Sequence, residues 1–317
     1  MSAVPGNAVP GNAVPAHAIS VCIATYRRPE RLQSLLADLA RQALAPREVV
    51  VVDNDAAGSA RAIIEACLAA RPALPIRYAI QPVKNISLTR NLTVELASGE
   101  WLAFADDDER APEQWLAGLA AALVRCGADG VLGPVEPVVP DDAPGWIRRG
   151  RFYDFPHLPT GSVVPPNRLR FGNVLLRAAP VRALGTPFDP AYGLTGGEDG
   201  DMLARLALTG ARIVWCDEAL VYEPVEKARL NLKWLLRRAL RGGQDFARHA
   251  LAGRYGARRA GGLRLIARAL AQLVLAAVLA ALCLPFGRHY AVYWLTKASA
   301  NAGKLSIFLG WHYREYA

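Results

Sequence analysis

From residue 227 onward the chain has almost no acid: Asp245 and Glu315 stand against 16 Lys and Arg. The first 226 residues hold 26 Asp and Glu against 21 Lys and Arg, so the formal charge of +9 divides into −5 and +14. Such a split predicts a polyanionic partner, nucleic acid or an anionic membrane surface. Cysteine is scarce and unpaired. Cys22, Cys67, Cys126, Cys216 and Cys283 are an odd number with no CxxC, which excludes a small disulfide scaffold, gives no indication of a zinc site and fits a reducing, cytoplasmic setting. The glycine-rich turns GxGxxG and GxxxxGK are absent after the first apolar run, which excludes a dinucleotide fingerprint and a P-loop. The opening AVPGN-AVPGN-AVPAH lacks the basic and continuously apolar parts of an export signal, and residues 1–16 are expected to be a flexible leader.

What is present is apolar material, 52% of 317 residues, with mixed charge, enough to bury a core and to exclude disorder as the main state. The body alternates strand and helix patterns. Strands are expected at His17–Thr25, Glu48–Val52, Ile76–Ile80, Trp101–Ala105 and, from its alternation, Arg168–Leu176. Amphipathic helices are expected at Pro29–Ala43, Ala60–Ala70, Leu88–Ala97 and Pro112–Arg125. This repetition predicts an α/β fold with a mostly parallel sheet flanked by helices, and ligands beyond the carboxyl ends of its strands.

Those strand ends are acidic. The second expected strand runs into Asp53-Asn54-Asp55 and the fourth into Asp106-Asp107-Asp108-Glu109. One acid suffices to cap the following helix. Four in a row after a buried strand make sense when a divalent cation sits between carboxylates and a diphosphate. A third acidic group, Gly196-Gly197-Glu198-Asp199-Gly200-Asp201, precedes the apolar helical stretch Met202–Thr209.

In this order, SVCIATYRRPE, VVVVDND, KNISLTRN, WLAFADDDE and GGEDGD resemble glycosyltransferase family 2, most closely its bacterial exopolysaccharide members of the succinoglycan type. The resemblance covers about Ile19 to Pro224. It implies a GT-A catalytic domain over 17–226 and inverting transfer from a nucleotide diphosphate sugar, expected to be a UDP-sugar. Thr25, Tyr26 and Arg28 would line the nucleotide pocket, Asp53 would bond the base with Asp55 beside it, and Arg90 and Asn91 would flank the sugar nucleotide. Asp106 would face the ribose, Asp107 would lie in the nucleotide site, and Asp106 and Asp108 would hold Mg2+ or Mn2+. Asp199 would be the general base, a carboxylate on the acceptor side that takes the hydroxyl proton. Glu198 would orient the acceptor, Gly197 would let backbone pass close to it, and Asn173 would contact it.

Residues 227–317 are expected to form a basic amphipathic and apolar helical region. Lys227–Arg268 holds twelve Lys and Arg and one acid, and Ala269–Leu284 is sixteen uncharged residues. A basic stretch beside an apolar one predicts attachment to the cytoplasmic face of the inner membrane, peripheral or monotopic. No nucleic-acid-binding motif accompanies the charge, so nucleic acid is not expected. The resemblance explains such a tail by a polyprenyl-diphosphate-linked glycan acceptor. A non-catalytic, membrane-bound nucleotide- or sugar-binding subunit is the alternative, and a nucleotidyltransferase is disfavoured because ATYRRP is not a glycine-rich turn. An oligomer formed through the apolar tail stays open.

Overall fold

The computed structural model describes residues 18–255 and 261–316. The leader expected at 1–16, His17, Arg258 and Arg259 lie outside the described residues. The chain runs β1 (Ile19–Thr25), α1 (Pro29–Leu39), β2 (Glu48–Asp53), α2 (Arg61–Ala70), β3 (Ile76–Ile80), α3 (Ile86–Leu96), β4 (Trp101–Phe104) and α4 (Trp115–Cys126). It continues through β5 (Gly130–Leu132), β6 (Val135–Val138), α5 (Gly145–Gly150), β7 (Val174–Arg177), α6 (Ala178–Ala183), α7 (Glu198–Leu208), β8 (Ile213–Trp215) and β9 (Val221–Pro224). Three long helices follow: α8 (Leu232–Leu251), α9 (Gly262–Cys283) and α10 (Arg288–Ser306).

Seven strands form one sheet in the order β3-β2-β1-β4-β7-β5-β8, and β6 pairs with β9 in a small second sheet. The central strands alternate between two cores, as period-2 geometry requires. Val21, Ile23, Val49 and Val51 meet Leu32, Leu35, Leu36 and Leu39 of α1 and Leu116 and Leu119 of α4. Cys22, Val50 and Val52 face the other way, toward Val94 of α3 and Met202, Leu203 and Leu206 of α7. Helices therefore cover both faces, and β1, β2 and β4 read as near-continuous apolar runs. Because these three strands are parallel, Thr25, Asp53 and the acids after Phe104 all emerge at one edge.

The sheet is mixed rather than purely parallel: β7 runs antiparallel to both β4 and β5. The strand expected over Arg168–Leu176 begins only at Val174. Pro166–Arg168 is a 3-10 turn and Gly172 has φ 106, a left-handed conformation that breaks extended pairing. Leu169 and Phe171 are buried, so the alternation recorded a loop anchored to the core. Asn85 starts α3 two residues earlier than expected, its side chain accepting from Leu88 N at 3.0 Å. Strands β5, β6, β8 and β9 and helices α5 and α6 were not expected; several are only three or four residues long.

The C-terminal helices pack as a unit. A Cβ on Gly243 would lie 1.9 Å from Ala300 O and one on Gly303 would lie 2.0 Å from Leu240 O, so α8 and α10 meet backbone to backbone at positions only glycine fills. Helix α9 begins seven residues before the uncharged run, and its 22 residues span about 33 Å. Among the described residues, Gly262–Phe286 is the one segment long and apolar enough to cross a membrane, and 17% of its apolar window is buried. Part of the basic charge of the tail is spent inside the molecule. Arg229 pairs with Asp108 and Glu223, Arg248 bonds Thr195 Oγ1 at 2.7 Å, and Arg254 bonds Asp201 at 2.6 Å.

Candidate active site

Thr25, the last residue of β1, donates from Oγ1 to Asp107 Oδ2 at 2.7 Å. Arg27 follows with φ 54, a left-handed backbone uncommon for a residue with a Cβ. It pairs with Asp55 Oδ2 at 3.0 Å, and that contact is the main reason the Asp55 carboxyl titrates below its usual range. Tyr26 is half-buried, with Lys84 Nζ 5.0 Å from its ring centre. Arg28 then turns back to Asp107 Oδ1 at 3.1 Å and Asp108 Oδ2 at 3.0 Å. Two arginines not singled out in the sequence converge on the same Asp108 oxygen: Arg31 at 3.2 Å and Arg229 at 3.3 Å. Arg31 lies three residues after Arg28 at the start of α1, so a shared helix face was the available signal. Arg229 comes from the segment before α8, and nothing local marked it.

Asp53, expected at the base, is fully buried. Its carboxylate accepts from Asp55 N at 2.9 Å, Ala60 N at 2.8 Å and the Tyr78 hydroxyl at 3.1 Å, so it shapes the loop that carries Asp55. Asn91 spends its amide on both backbone groups of Phe188, at 2.7 and 2.9 Å. Asn173, expected at the acceptor, is 1% exposed. It accepts from Trp115 Nε1 at 2.8 Å and donates to Pro134 O and Ala219 O at 2.9 and 2.6 Å. Asn173 braces the interior with both amide hydrogens spent, whereas the half-buried Asn91 keeps one amide hydrogen without an acceptor among the described residues.

The three consecutive aspartates divide between two arginines, Asp107 and Asp108 sharing Arg28 and Asp106 meeting Arg90. Asp107 is held by Thr25 and Arg28, whereas the Asp106 side chain is 45% exposed in the cleft. No donor among the described residues reaches Asp106 Oδ2 or Asp108 Oδ1. Although partly open, the Asp106 carboxyl is pushed up by the loss of water on its protein side and by the neighbouring charges of Asp108, Asp107 and Asp199, against the pull of Arg90. Among the described residues no three His, Cys, Asp or Glu side chains are grouped to hold a metal by themselves. Two carboxylates with an oxygen each to spare are the donor set that fits Mg2+ or Mn2+ when phosphate oxygens and water complete the shell.

Arg90, on α3, joins this cluster to the second one. Its Nη2 is 2.9 Å from Asp106 Oδ1 and its Nη1 is 2.5 Å from Glu198 Oε1, with Asp199 Oδ2 at 3.9 Å. Its guanidinium carbon lies 4.5 Å from the centre of the Phe171 ring. Glu198 is 2% exposed, and its Oε2 is buried with no hydrogen-bond partner among the described residues. Burial and Asp199 together raise its carboxyl to about 7 against the pull of Arg90. Asp199 is more open, its side chain 32% exposed, with Oδ1 accepting from Gly200 N at 2.7 Å. Asp201 is tied to Arg205 and Arg254 and is structural.

The turn before these acids depends on glycine. Gly197 has φ 91, and a Cβ there would lie 2.7 Å from Asp245 Oδ1. Beneath it, His249 Nε2 lies 2.9 Å from Gly197 O, and Nδ1 lies 3.3 Å from the Tyr255 hydroxyl. Burial lowers the pKa of His249, and a carbonyl partner requires the neutral tautomer that carries its proton on Nε2. Helix α8 thus supports the Glu198–Asp199 turn, His249 bonding the Gly197 carbonyl and Asp245 packed against Gly197.

The family model for glycosyl transferase family 2 matches residues 20–178. The chain is 37% identical over 299 residues to the succinoglycan biosynthesis protein ExoM of Rhizobium meliloti (strain 1021), covering 92% of this chain and 93% of that one. It is 27% identical over 215 residues to the galactofuranosyltransferase GlfT1 of Mycobacterium tuberculosis, covering 64% and 68%. Among solved structures, the mannosyltransferase PcManGT of Pyrobaculum calidifontis, in complex with GDP-Man and Mn2+, superposes with a TM-score of 0.66 at 20% identity, covering 94% of this chain and 90% of that one. S. aureus TarS 1-349 in complex with UDP-GlcNAc gives 0.53 at 18% identity, covering 93% of each chain.

Proposed function

This chain belongs to glycosyl transferase family 2 and is a glycosyltransferase with a GT-A-like fold and a succinoglycan-type relative; from that premise we propose an inverting, metal-dependent transfer from a UDP-sugar to a lipid-linked glycan. The observation that carries the reading is the pairing of two carboxylate groups across one guanidinium at the open edge of the sheet. Thr25, Tyr26, Arg28 and Asp107 form the nucleotide side of the cleft, and Asp53 and Asp55 shape the adjoining loop. Arg28, Arg31 and Arg229 bring positive charge to Asp108, where a diphosphate would otherwise meet only acid. Asp106 and Asp108 would hold Mg2+ or Mn2+, which would neutralise the nucleoside diphosphate as it leaves.

On the other side of Arg90, Asp199 takes the acceptor hydroxyl proton as the new glycosidic bond forms opposite the leaving group. Glu198, clamped by Arg90, orients the turn and is too enclosed to take that proton directly. The exposed face of α9 supports a membrane-borne acceptor: Val274, Leu275, Val278 and Leu282 are each more than half exposed, with Arg264 and Arg268 at the start of the helix and Arg288 beyond its end. Such a face beside cations suits the cytoplasmic leaflet of the membrane. The test is transfer of radiolabel from UDP-sugars into organic-extractable lipid by purified protein with bacterial membranes. Label recovered in lipid supports the reading, and none from any UDP-sugar refutes it.

A further inference from the structure

The last described residues return to the active site. Gln244 of α8 ties them down, its Oε1 accepting from Tyr313 N at 2.9 Å and its Nε2 donating to Trp311 O at 3.0 Å. Glu315 Oε2 pairs with Arg241 Nη1 at 3.4 Å, and Tyr316 N donates to Leu194 O at 3.1 Å. This anchors Tyr316 beside the glycine turn. Its ring carbon Cε2 lies 3.6 Å from where a Cβ on Gly196 would sit. The residue is 38% exposed, open to an incoming molecule on the cleft side. Burial raises the phenol above its usual range, with Glu198 adding to the effect and Arg241 and Arg90 opposing it.

We infer that Tyr316 forms one wall of the acceptor subsite and sets its preference for a sugar ring. The inference rests on the reading above and adds the group that receives the acceptor. The donor side of Arg90 is filled by the aspartate triplet and three arginines. The side bearing Asp199 has carboxylates but lacks an apolar surface within its own turn. Tyr316 brings one there from 117 positions further along the chain. An aromatic ring beside carboxylates is the pair of surfaces a sugar offers in reverse, C–H groups on its face and hydroxyls on its edge. Placed beside the Gly196-Gly197 turn that leads into Asp199, the ring and an acceptor stacked on it would displace water there, which favours transfer over hydrolysis.

The experiment uses the full chain, the UDP-sugar it turns over, and octyl β-glucoside and octyl β-galactoside as acceptor probes. Tyr316→Ala should raise the acceptor KM about tenfold, leave the donor KM unchanged, and raise donor hydrolysis without acceptor at least threefold. Tyr316→Phe should stay within threefold of the parent on all three readings, since the ring is what stacks. Glu315→Ala, which loosens the segment without removing the ring, should give an intermediate acceptor KM. Matching thermal melts exclude a folding defect. An unchanged or lowered acceptor KM in Tyr316→Ala overturns the inference, a lowered one meaning that the ring blocks the subsite. If neither octyl glycoside is used, unchanged hydrolysis overturns it instead. A parent protein that neither transfers nor hydrolyses any UDP-sugar defeats the underlying reading, an outcome distinct from both.

Discussion

Arg90 bonds Asp106 and Glu198 at once, at 2.9 and 2.5 Å, so a single guanidinium on α3 holds together acids that lie 92 residues apart in the chain. Removing it leaves Glu198, one of whose oxygens has no partner among the described residues, without its cation, so the buried carboxyl must take up a proton or stay unpaired. Arg90→Met should therefore lower the unfolding free energy by about 3–5 kcal/mol. Arg90→Lys, a point charge that cannot fork to two carboxylates, should lose less stability but most activity. Combining Arg90→Met with Glu198→Gln should recover stability and leave the enzyme inactive. Urea unfolding and donor turnover on the same preparations check all three.

Asp199 and Asp201 sit two residues apart and should behave in opposite ways. Asp199→Asn should cut kcat by roughly 10²–10⁴ with nucleotide affinity and melting temperature unchanged. Asp201→Asn breaks ties to Arg205 and Arg254 and should lower the melting temperature while the folded fraction keeps its turnover. Transfer at the parent rate by Asp199→Asn would remove it as the base.

Asp245 gives a pH signature. Burial, with Asp199 and Glu315 adding, pushes its carboxyl up to about 7 against Arg241 and Arg248; Glu198 and Tyr255 also feel its charge. An unfolded aspartate titrates near 3.9, so between about pH 4 and 7 the folded chain holds a proton that the unfolded chain has released. Stability from this group is then fully present below pH 4 and declines as pH rises toward 7. The difference in urea midpoint between the parent and Asp245→Asn should drift in the variant's favour across that window and level off above it. A constant difference from pH 4.5 to 8 would contradict the enclosed carboxyl.

The exposed face of α9 predicts vesicle binding. The parent should co-float with vesicles of phosphatidylglycerol and phosphatidylethanolamine, and Leu275→Glu combined with Val278→Glu should stay at the bottom of the gradient. Donor hydrolysis should be unaffected in the variant, because α9 touches none of the acids in the cleft. Equal flotation of both proteins would remove this face from the account.

Much of the donor half of the site was legible because its acids directly follow buried strands, where an acidic run has no packing reason to exist. The Asp106–Asp108 cluster stood out this way, and the Glu198–Asp199 pair by its two preceding glycines at the start of a helix. Residues defined by tertiary partners did not. Asp53, at the end of β2, looks like a ligand-facing acid, and only its backbone donors and Tyr78 reveal it as internal. Asn173 reads as polar in an apolar stretch and proves to be bonded to Trp115 on a different element. Arg229 meets Asp108 across 121 positions, and Tyr316 returns from the far end of the chain. The antiparallel direction of β7 is equally invisible locally, since a buried strand has the same composition in either direction.

The central claim is a metal-assisted diphosphate site at Asp106 and Asp108, and calorimetric titration of UDP into the purified protein tests it most directly. With Mn2+ present, UDP should bind, EDTA should abolish the heat, and Asp108→Ala should do the same without EDTA. UDP binding that is indifferent to EDTA and to Asp108→Ala would contradict the metal site, and no binding of UDP, GDP, dTDP or CDP under either condition would contradict the nucleotide-sugar site as a whole.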